Sequence, residues 1–320
     1  MGKISDALKK VAQLREGQVP DDPESFFDPV IEEETLPPNV SEKEPSKIKP
    51  LTLSERWGLK EKLFVVGEKD SSGIDPRIVN YYDHSSLISE QYRSLRTTIK
   101  TTLNKIKTSE KKDINKPNFY TYVFTITSAL HSEGKTLTAT NLAAALSYDF
   151  GNKVLLVDCD LRKGSVHRLL NVESKVGLSD VLGKDVDLSK AIIQTKINNL
   201  FVIPSGKSPF NPSELLGSKK MKMVLERLKR EKFTHIILDT PPLLPFADGA
   251  ILGAQTQGTF LVVQANRTQA PVIEKAKASL KQAQSKLLGL ILTQVDSYAF
   301  SAYNYNYYYY YAKDREESLV

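Results

Sequence analysis

The segment Thr125-Ile-Thr-Ser-Ala-Leu-His-Ser-Glu-Gly-Lys-Thr136 joins an apolar, β-branched run to an alanine-rich stretch of helical spacing. A strand turning through a small-residue loop into a helix start is the context in which Gly-Lys-Thr holds phosphate. Successive backbone N–H groups and the helix N-terminus surround the phosphate oxygens, Lys135 adds a point charge, and the Thr136 hydroxyl can bind Mg²⁺. The expected phosphate-contacting run is Ser132, Glu133, Gly134, Lys135, Thr136 and Leu137. Ala129 stands where such a loop usually begins with glycine, and Ser132 lacks glycine's freedom at positive φ. The triplet alone also fits an ordinary surface helix start, so the acids that follow decide.

Val154-Leu-Leu-Val-Asp158-Cys-Asp160-Leu-Arg162 places two carboxylates two residues apart at a strand's carboxyl end, where extended geometry points both to one side. Ile236-Ile-Leu-Asp239-Thr-Pro-Pro242 puts a third acid at another strand end, and the prolines stop that strand. A single strand-end aspartate often caps a helix. Three, in this order after a Gly-Lys-Thr loop, indicate a metal and phosphate site, with Thr136 able to bind Mg²⁺ and Asp239 placed to hold its shell.

Around these motifs, short apolar runs alternate with amphipathic stretches. Strands are expected near 121–127, 153–158, 200–203, 234–239, 259–264 and 287–293, and helices near 87–104, 135–148, 212–232, 245–255 and 269–285. Buried strands alternating with helices predict an α/β fold, a doubly wound, mostly parallel sheet flanked by helices. Ligands bind at the carboxyl ends of such strands.

The ends of the chain read differently. Ile4, Ala7, Leu8, Val11 and Ala12 recur at helical spacing opposite lysines, so 1–16 is expected to form a short amphipathic helix. Seven of the sixteen prolines fall between 20 and 50 among many acids, which predicts a disordered linker over 17–60. A folded domain over 61–297 and a tail over 298–320 complete the division. Seven of the fourteen tyrosines, Tyr303, Tyr305, Tyr307, Tyr308, Tyr309, Tyr310 and Tyr311, lie within nine residues of that tail.

The order GKT, VLLVDCDLR, IILDTPP and a C-terminal tyrosine cluster resembles the bacterial tyrosine kinases, cytoplasmic P-loop autokinases of polysaccharide export. The resemblance spans about 86–311 and includes Glu90-Gln-Tyr-Arg93-Ser-Leu-Arg96, similar to the family's ExxRxxR interface motif. It departs at His131 and Ser132, where Pro-Gly is usual, and at Gly164, where proline is common. The resemblance implies ATP and Mg²⁺ as cofactors and transfer to the tail tyrosines of a neighbouring subunit. Lys135 would hold the β- and γ-phosphates, Asp160 the metal, and Asp158 the acceptor hydroxyl. It further implies a ring-like homo-oligomer through Glu90, Arg93 and Arg96, and a membrane-embedded chain-length regulator that activates the kinase at the inner face of the membrane. Two other readings use the same residues: a partitioning or septum-positioning ATPase, which normally carries a lysine where Leu130 stands, and a nucleotide-sensing scaffold without kinase activity.

Composition narrows the classes further. Forty-four basic against 38 acidic residues leave only +6, too mild to indicate nucleic acid without a localised basic patch. Apolar runs such as 287–292 fall far short of the ~18 residues that span a bilayer, and no signal-peptide pattern opens the sequence, so a soluble chain is expected. The single cysteine, Cys159, excludes an internal disulfide and a cysteine-based metal cluster and fits a reducing compartment.

Overall fold

The computed structural model describes residues 71–109, 120–184 and 186–295. They belong to the second of two units, Lys60–Val320. The expected N-terminal helix, the linker and the tyrosine tail lie outside the described residues.

β-branched and leucine-rich runs build seven strands: β1 (Tyr122–Ser128), β2 (Val154–Asp158), β3 (Ile193–Gln194), β4 (Leu200–Ile203), β5 (His235–Asp239), β6 (Thr259–Gln264) and β7 (Leu287–Thr293). Their order is β3-β4-β2-β5-β1-β6-β7, all parallel except β3, which runs antiparallel to β4. From β1 the chain moves to one side to reach β2, and the later strands β6 and β7 add on the other. The order therefore reverses at β1, where open α/β sheets bind ligands.

The helices are α1 (Val79–Tyr82), α2 (Leu87–Ser109), α3 (Lys135–Ser147), α4 (Val166–Leu169), α5 (Leu178–Gly183), α6 (Pro212–Gly217), α7 (Lys219–Arg230), α8 (Asp248–Gly253) and α9 (Ala270–Gln282). Alanine-rich α3 is buried nearly all round because α2 packs over it. Ile99 and Leu103 of α2 join Leu142, Leu146, Phe124, Ile126 and Val262 in the core on that face. On the opposite face α7 inserts Met221, Val224, Leu225 and Leu228 against Leu155, Val157, Ile236 and Leu238. Alternate residues of β2 and β5 thus serve two cores, which explains their unbroken apolar runs.

The six expected strands are all present, with boundaries within one residue. The expected helix over 212–232 is two helices. Ser218 is extended (φ −71°, ψ 158°), and its hydroxyl accepts the Met221 N–H at 3.1 Å, so a serine N-cap restarts the chain where a continuous helix was expected. The helix expected over 245–255 starts only at Asp248, because 245–247 continue the loop after β5.

Candidate active site

The loop after β1 has a built-in backbone shape. Ser132 (φ 63°) and Gly134 (φ 88°) both lie in the left-handed region, natural for glycine and costly for serine. The adjoining side chains hold it. Glu133 is fully buried; its Oε2 accepts the Leu130 N–H at 2.6 Å and its Oε1 accepts the Thr268 hydroxyl. The Thr293 hydroxyl donates to the Glu133 carbonyl at 2.7 Å, and Arg267 reaches the Ser132 carbonyl at 3.5 Å. The ends of β6 and β7 thus brace one flank of the loop. Glu133, expected as a phosphate contact, spends its carboxylate on this brace.

On the other flank stand the acids. Asp158 and Asp239 are register partners at the ends of neighbouring parallel strands, so both carboxylates fall beside the loop. Lys135 Nζ lies 3.5 Å from Asp160 Oδ2 and 3.0 Å from the Thr136 hydroxyl. Burial lowers the lysine's proton affinity, but Asp239, Asp160 and Asp158 together override this and raise it. Asp158 is wholly buried; its Oδ1 accepts the Asp160 N–H at 3.2 Å and its Oδ2 the Val166 N–H at 3.1 Å. Burial and then Asp239 raise its carboxyl well above the usual range. Asp160 accepts the Lys163 N–H at 2.9 Å and leaves its second oxygen toward Lys135.

Asp239 differs from both. Neither of its oxygens has a hydrogen-bond partner although the residue is fully buried, and the Thr136 side chain stands beside it without hydrogen-bond geometry. Burial raises its carboxyl to about 6 against the opposing charge of Lys135. Three carboxylates facing one ammonium leave surplus negative charge, and orphaned buried oxygens are rare in folded proteins. Both features suit a cation with its water shell. Among the described residues no three His, Cys, Asp or Glu side chains form a cage of their own. Mg²⁺ is held by few protein ligands together with phosphate oxygens.

The sequence reading missed a polar assembly beside the acids. Arg162 Nε donates to Asp248 Oδ2 at 3.0 Å and Nη2 to the Ser213 hydroxyl at 2.9 Å, while its guanidinium lies 4.2 Å from the Phe246 ring centroid. The His131 ring meets Phe246 edge-on at 6.1 Å. The available signal was Asp248 in the first turn of α8, a buried acid with Arg162 as counter-charge.

The predicted interface residues lie on α2. Glu90 and Arg93 pair with each other, and Arg93 also donates to the His84 carbonyl at 2.7 Å. Arg96 donates to the Ala145 carbonyl at 3.0 Å and pairs with Asp149 at 2.8 Å, which ties α2 to the end of α3. The seven tail tyrosines lie outside the described residues.

A strand-turn-helix loop at the switch point of a parallel sheet, with acids at the two neighbouring strand ends, defines a P-loop protein of the nucleotide-binding α/β class. A family described as an AAA domain matches residues 131–288. The chain is 38% identical over 221 residues to the tyrosine-protein kinase YwqD of Bacillus subtilis, covering 69% of this chain and 87% of that one. It is 38% identical over 175 residues to the tyrosine-protein kinase CpsD of Streptococcus agalactiae, covering 54% and 76%. The kinase domain of the Escherichia coli tyrosine kinase ETK superposes with a TM-score of 0.62 at 29% identity, over 71% of this chain and 83% of that one. The chain belongs to the bacterial tyrosine kinases, and it is a protein-tyrosine kinase. It spans only 27% of the longer tyrosine-protein kinase wzc of Salmonella typhi, to which it is 31% identical.

Proposed function

We propose that this kinase uses ATP and Mg²⁺ to phosphorylate the tyrosines of its own C-terminal cluster in trans, within a ring-like homo-oligomer. The observation that carries this reading is the meeting of Lys135, Thr136, Asp158, Asp160 and Asp239 beside a braced phosphate loop, with the Asp239 oxygens buried and unpartnered. Family resemblance adds polysaccharide chain length and export as the process regulated. It also adds a membrane-embedded chain-length regulator as activator and a site of action at the inner face of the membrane. No helix among the described residues is long and apolar enough to cross a membrane.

The loop N–H groups of Ser132 to Leu137 and the Lys135 ammonium hold the β- and γ-phosphates. Thr136, Asp160 and Asp239 would hold Mg²⁺, which when bound neutralises charge on the phosphate oxygens. Asp158 receives the acceptor hydroxyl: each of its oxygens keeps a lone pair beyond the backbone N–H it already accepts. The phenolic oxygen forms a bond to the γ-phosphorus as the bond to the bridging oxygen breaks. ADP leaves with that electron pair, and the phenolic proton passes to the carboxylate. Tyrosine's pKa near 10 leaves little phenolate at neutral pH, so a carboxylate at the hydroxyl assists attack.

If extended at about 3.3 Å each, the roughly ten residues from Thr293 to Tyr303 could span some 30 Å, a length that could reach a neighbouring site. Full modification would place roughly −10 to −14 charges within the cluster. Repulsion from the strand-end carboxylates then expels the tails and releases the ring.

The test is incubation of the full chain with Mg-ATP and mapping of phosphotyrosine by mass spectrometry, with Lys135→Met as control. Phosphate on residues 303–311 in the parent, and none in a variant of unchanged circular dichroism, is the expected result. Parental rates of tyrosine phosphorylation in Lys135→Met would overturn the assignment. Sedimentation of phosphorylated against phosphatase-treated protein tests the release of the ring, and identical profiles would refute it.

A further inference from the structure

The P-loop has two unlike flanks. On the β6 and β7 side it is closed by Thr268, Thr293 and Arg267, which hydrogen-bond to Glu133 and Ser132. On the β2 and β5 side stand Asp158, Asp160 and Asp239, the acids to which the proposed function assigns the acceptor hydroxyl and the metal. Close to these acids in the chain stand Arg162 and Phe246. Arg162 is two residues from Asp160, and Phe246 belongs to the loop that follows Asp239.

This pair is built more firmly than a surface contact requires. Asp248, wholly buried, takes Arg162 Nε at 3.0 Å, and Ser213 takes Nη2 at 2.9 Å while itself donating to Asp248. Two in-plane bonds set the plane of the guanidinium, and the Phe246 ring lies against it at 4.2 Å. Among the described residues Nη1 has no hydrogen-bond partner, and 32% of the Arg162 side chain stays exposed, as does part of Phe246. A rigid, partly open stack of a cation on a ring is a surface for a third planar, electron-rich group. The reaction supplies one such group on this flank, the phenol.

We propose that Arg162 and Phe246 form the seat of the acceptor tyrosine's ring, with Asp248 as the positioning residue that holds Arg162 in plane. The inference rests on the kinase reading of the site. It accounts for selection of tyrosine over serine and threonine: an aliphatic hydroxyl reaching Asp158 would leave the stack uncovered and forgo its attraction. It also gives His131 a part, since its ring borders Phe246 on the loop side.

The experiment titrates a synthetic peptide of residues 303–311 against the full chain and measures, separately, Mg-ADP affinity by calorimetry. Phe246→Leu, which keeps bulk and removes the ring, is expected to raise the KM for peptide about tenfold while the Mg-ADP Kd stays within twofold. Phe246→Tyr restores the parental KM. Arg162→Lys, which keeps a cation for Asp248 but loses the planar face, raises the peptide KM similarly. An unchanged peptide KM in Phe246→Leu, or a parallel loss of Mg-ADP affinity, would overturn the proposal. Failure of the parent protein to phosphorylate any tyrosine would instead overturn the kinase reading beneath it.

Discussion

At Gly164 an added Cβ would lie 2.0 Å from the Ser205 hydroxyl oxygen, 2.5 Å from its Cβ and 2.7 Å from Asp158 Oδ2. The Ser205 Cβ cannot rotate away, so the turn after Asp160 can close only over glycine. The departure from the family's proline at this place therefore belongs with Ser205. Gly164→Ala should cost about 1–3 kcal/mol, measured by urea unfolding, and slow transfer by displacing Asp158. Ser132 presents the opposite case, a side chain where the backbone asks for none, at φ 63°. Ser132→Gly is expected to stabilise by about 1 kcal/mol, a Tm rise of about 2–4 °C by scanning calorimetry. Both positions were visible in the sequence as departures from a pattern. At Ser132 the direction was legible in the missing glycine, whereas at Gly164 it was not, because it depends on Ser205, a neighbour far along the chain. The same holds for Glu133, whose partners Thr268 and Thr293 come more than a hundred residues later.

The strands were legible almost to the residue because a buried parallel strand must be apolar on both faces, which leaves a run that few other structures need. Helix ends were less so. α7 begins at Ser218 through one side-chain hydrogen bond, which a periodic apolar pattern does not register. β3 has only two residues, too few to carry any period. On α2 the stripe Glu90, Arg93, Arg96 reads as one motif but divides in the fold: Arg93 faces its own Glu90 and the His84 carbonyl, whereas Arg96 ties α2 to the carboxyl end of α3. Arg96→Ala should therefore lower stability by about 1–3 kcal/mol at any protein concentration, by loss of a charged hydrogen bond to a backbone carbonyl. Arg93→Ala, whose bonds to Glu90 and the His84 carbonyl lie at the exposed surface, should leave the unfolding midpoint within about 0.5 kcal/mol and, if the interface is as proposed, change the molar mass by light scattering. A lower midpoint and an unchanged mass in Arg93→Ala would remove it from the interface.

The stability of the whole molecule carries a pH signature from His235, which is 3% exposed and stacked on Tyr122 at the start of β5. Burial first, then the charge of Lys100, lowers its pKa to about 4, with Asp149 opposing. Unfolding restores an ordinary value near 6.5, so below that pH the unfolded chain takes up a proton that the fold refuses. Stability from this group is complete above about pH 6.5 and falls by roughly 3 kcal/mol as pH drops to about 4. Urea midpoints across that window should slope less in His235→Phe than in the parent. Equal slopes would show that the imidazole is not what resists acid.

The last described strand has a mechanical consequence. β7 ends at Thr293, whose hydroxyl holds the Glu133 carbonyl at 2.7 Å, and Val295 is the last described residue before the tyrosine tail. The chain that leads to the tyrosine cluster thus leaves the sheet from the residue that braces the Gly-Lys-Thr loop. Under the proposed reaction, a pull on the tail would load that hydrogen bond together with the backbone pairing of β7 with β6. If the tail is the substrate, as proposed, tension in it would be felt at the loop proposed to hold phosphate, and a taut or slack substrate would register there.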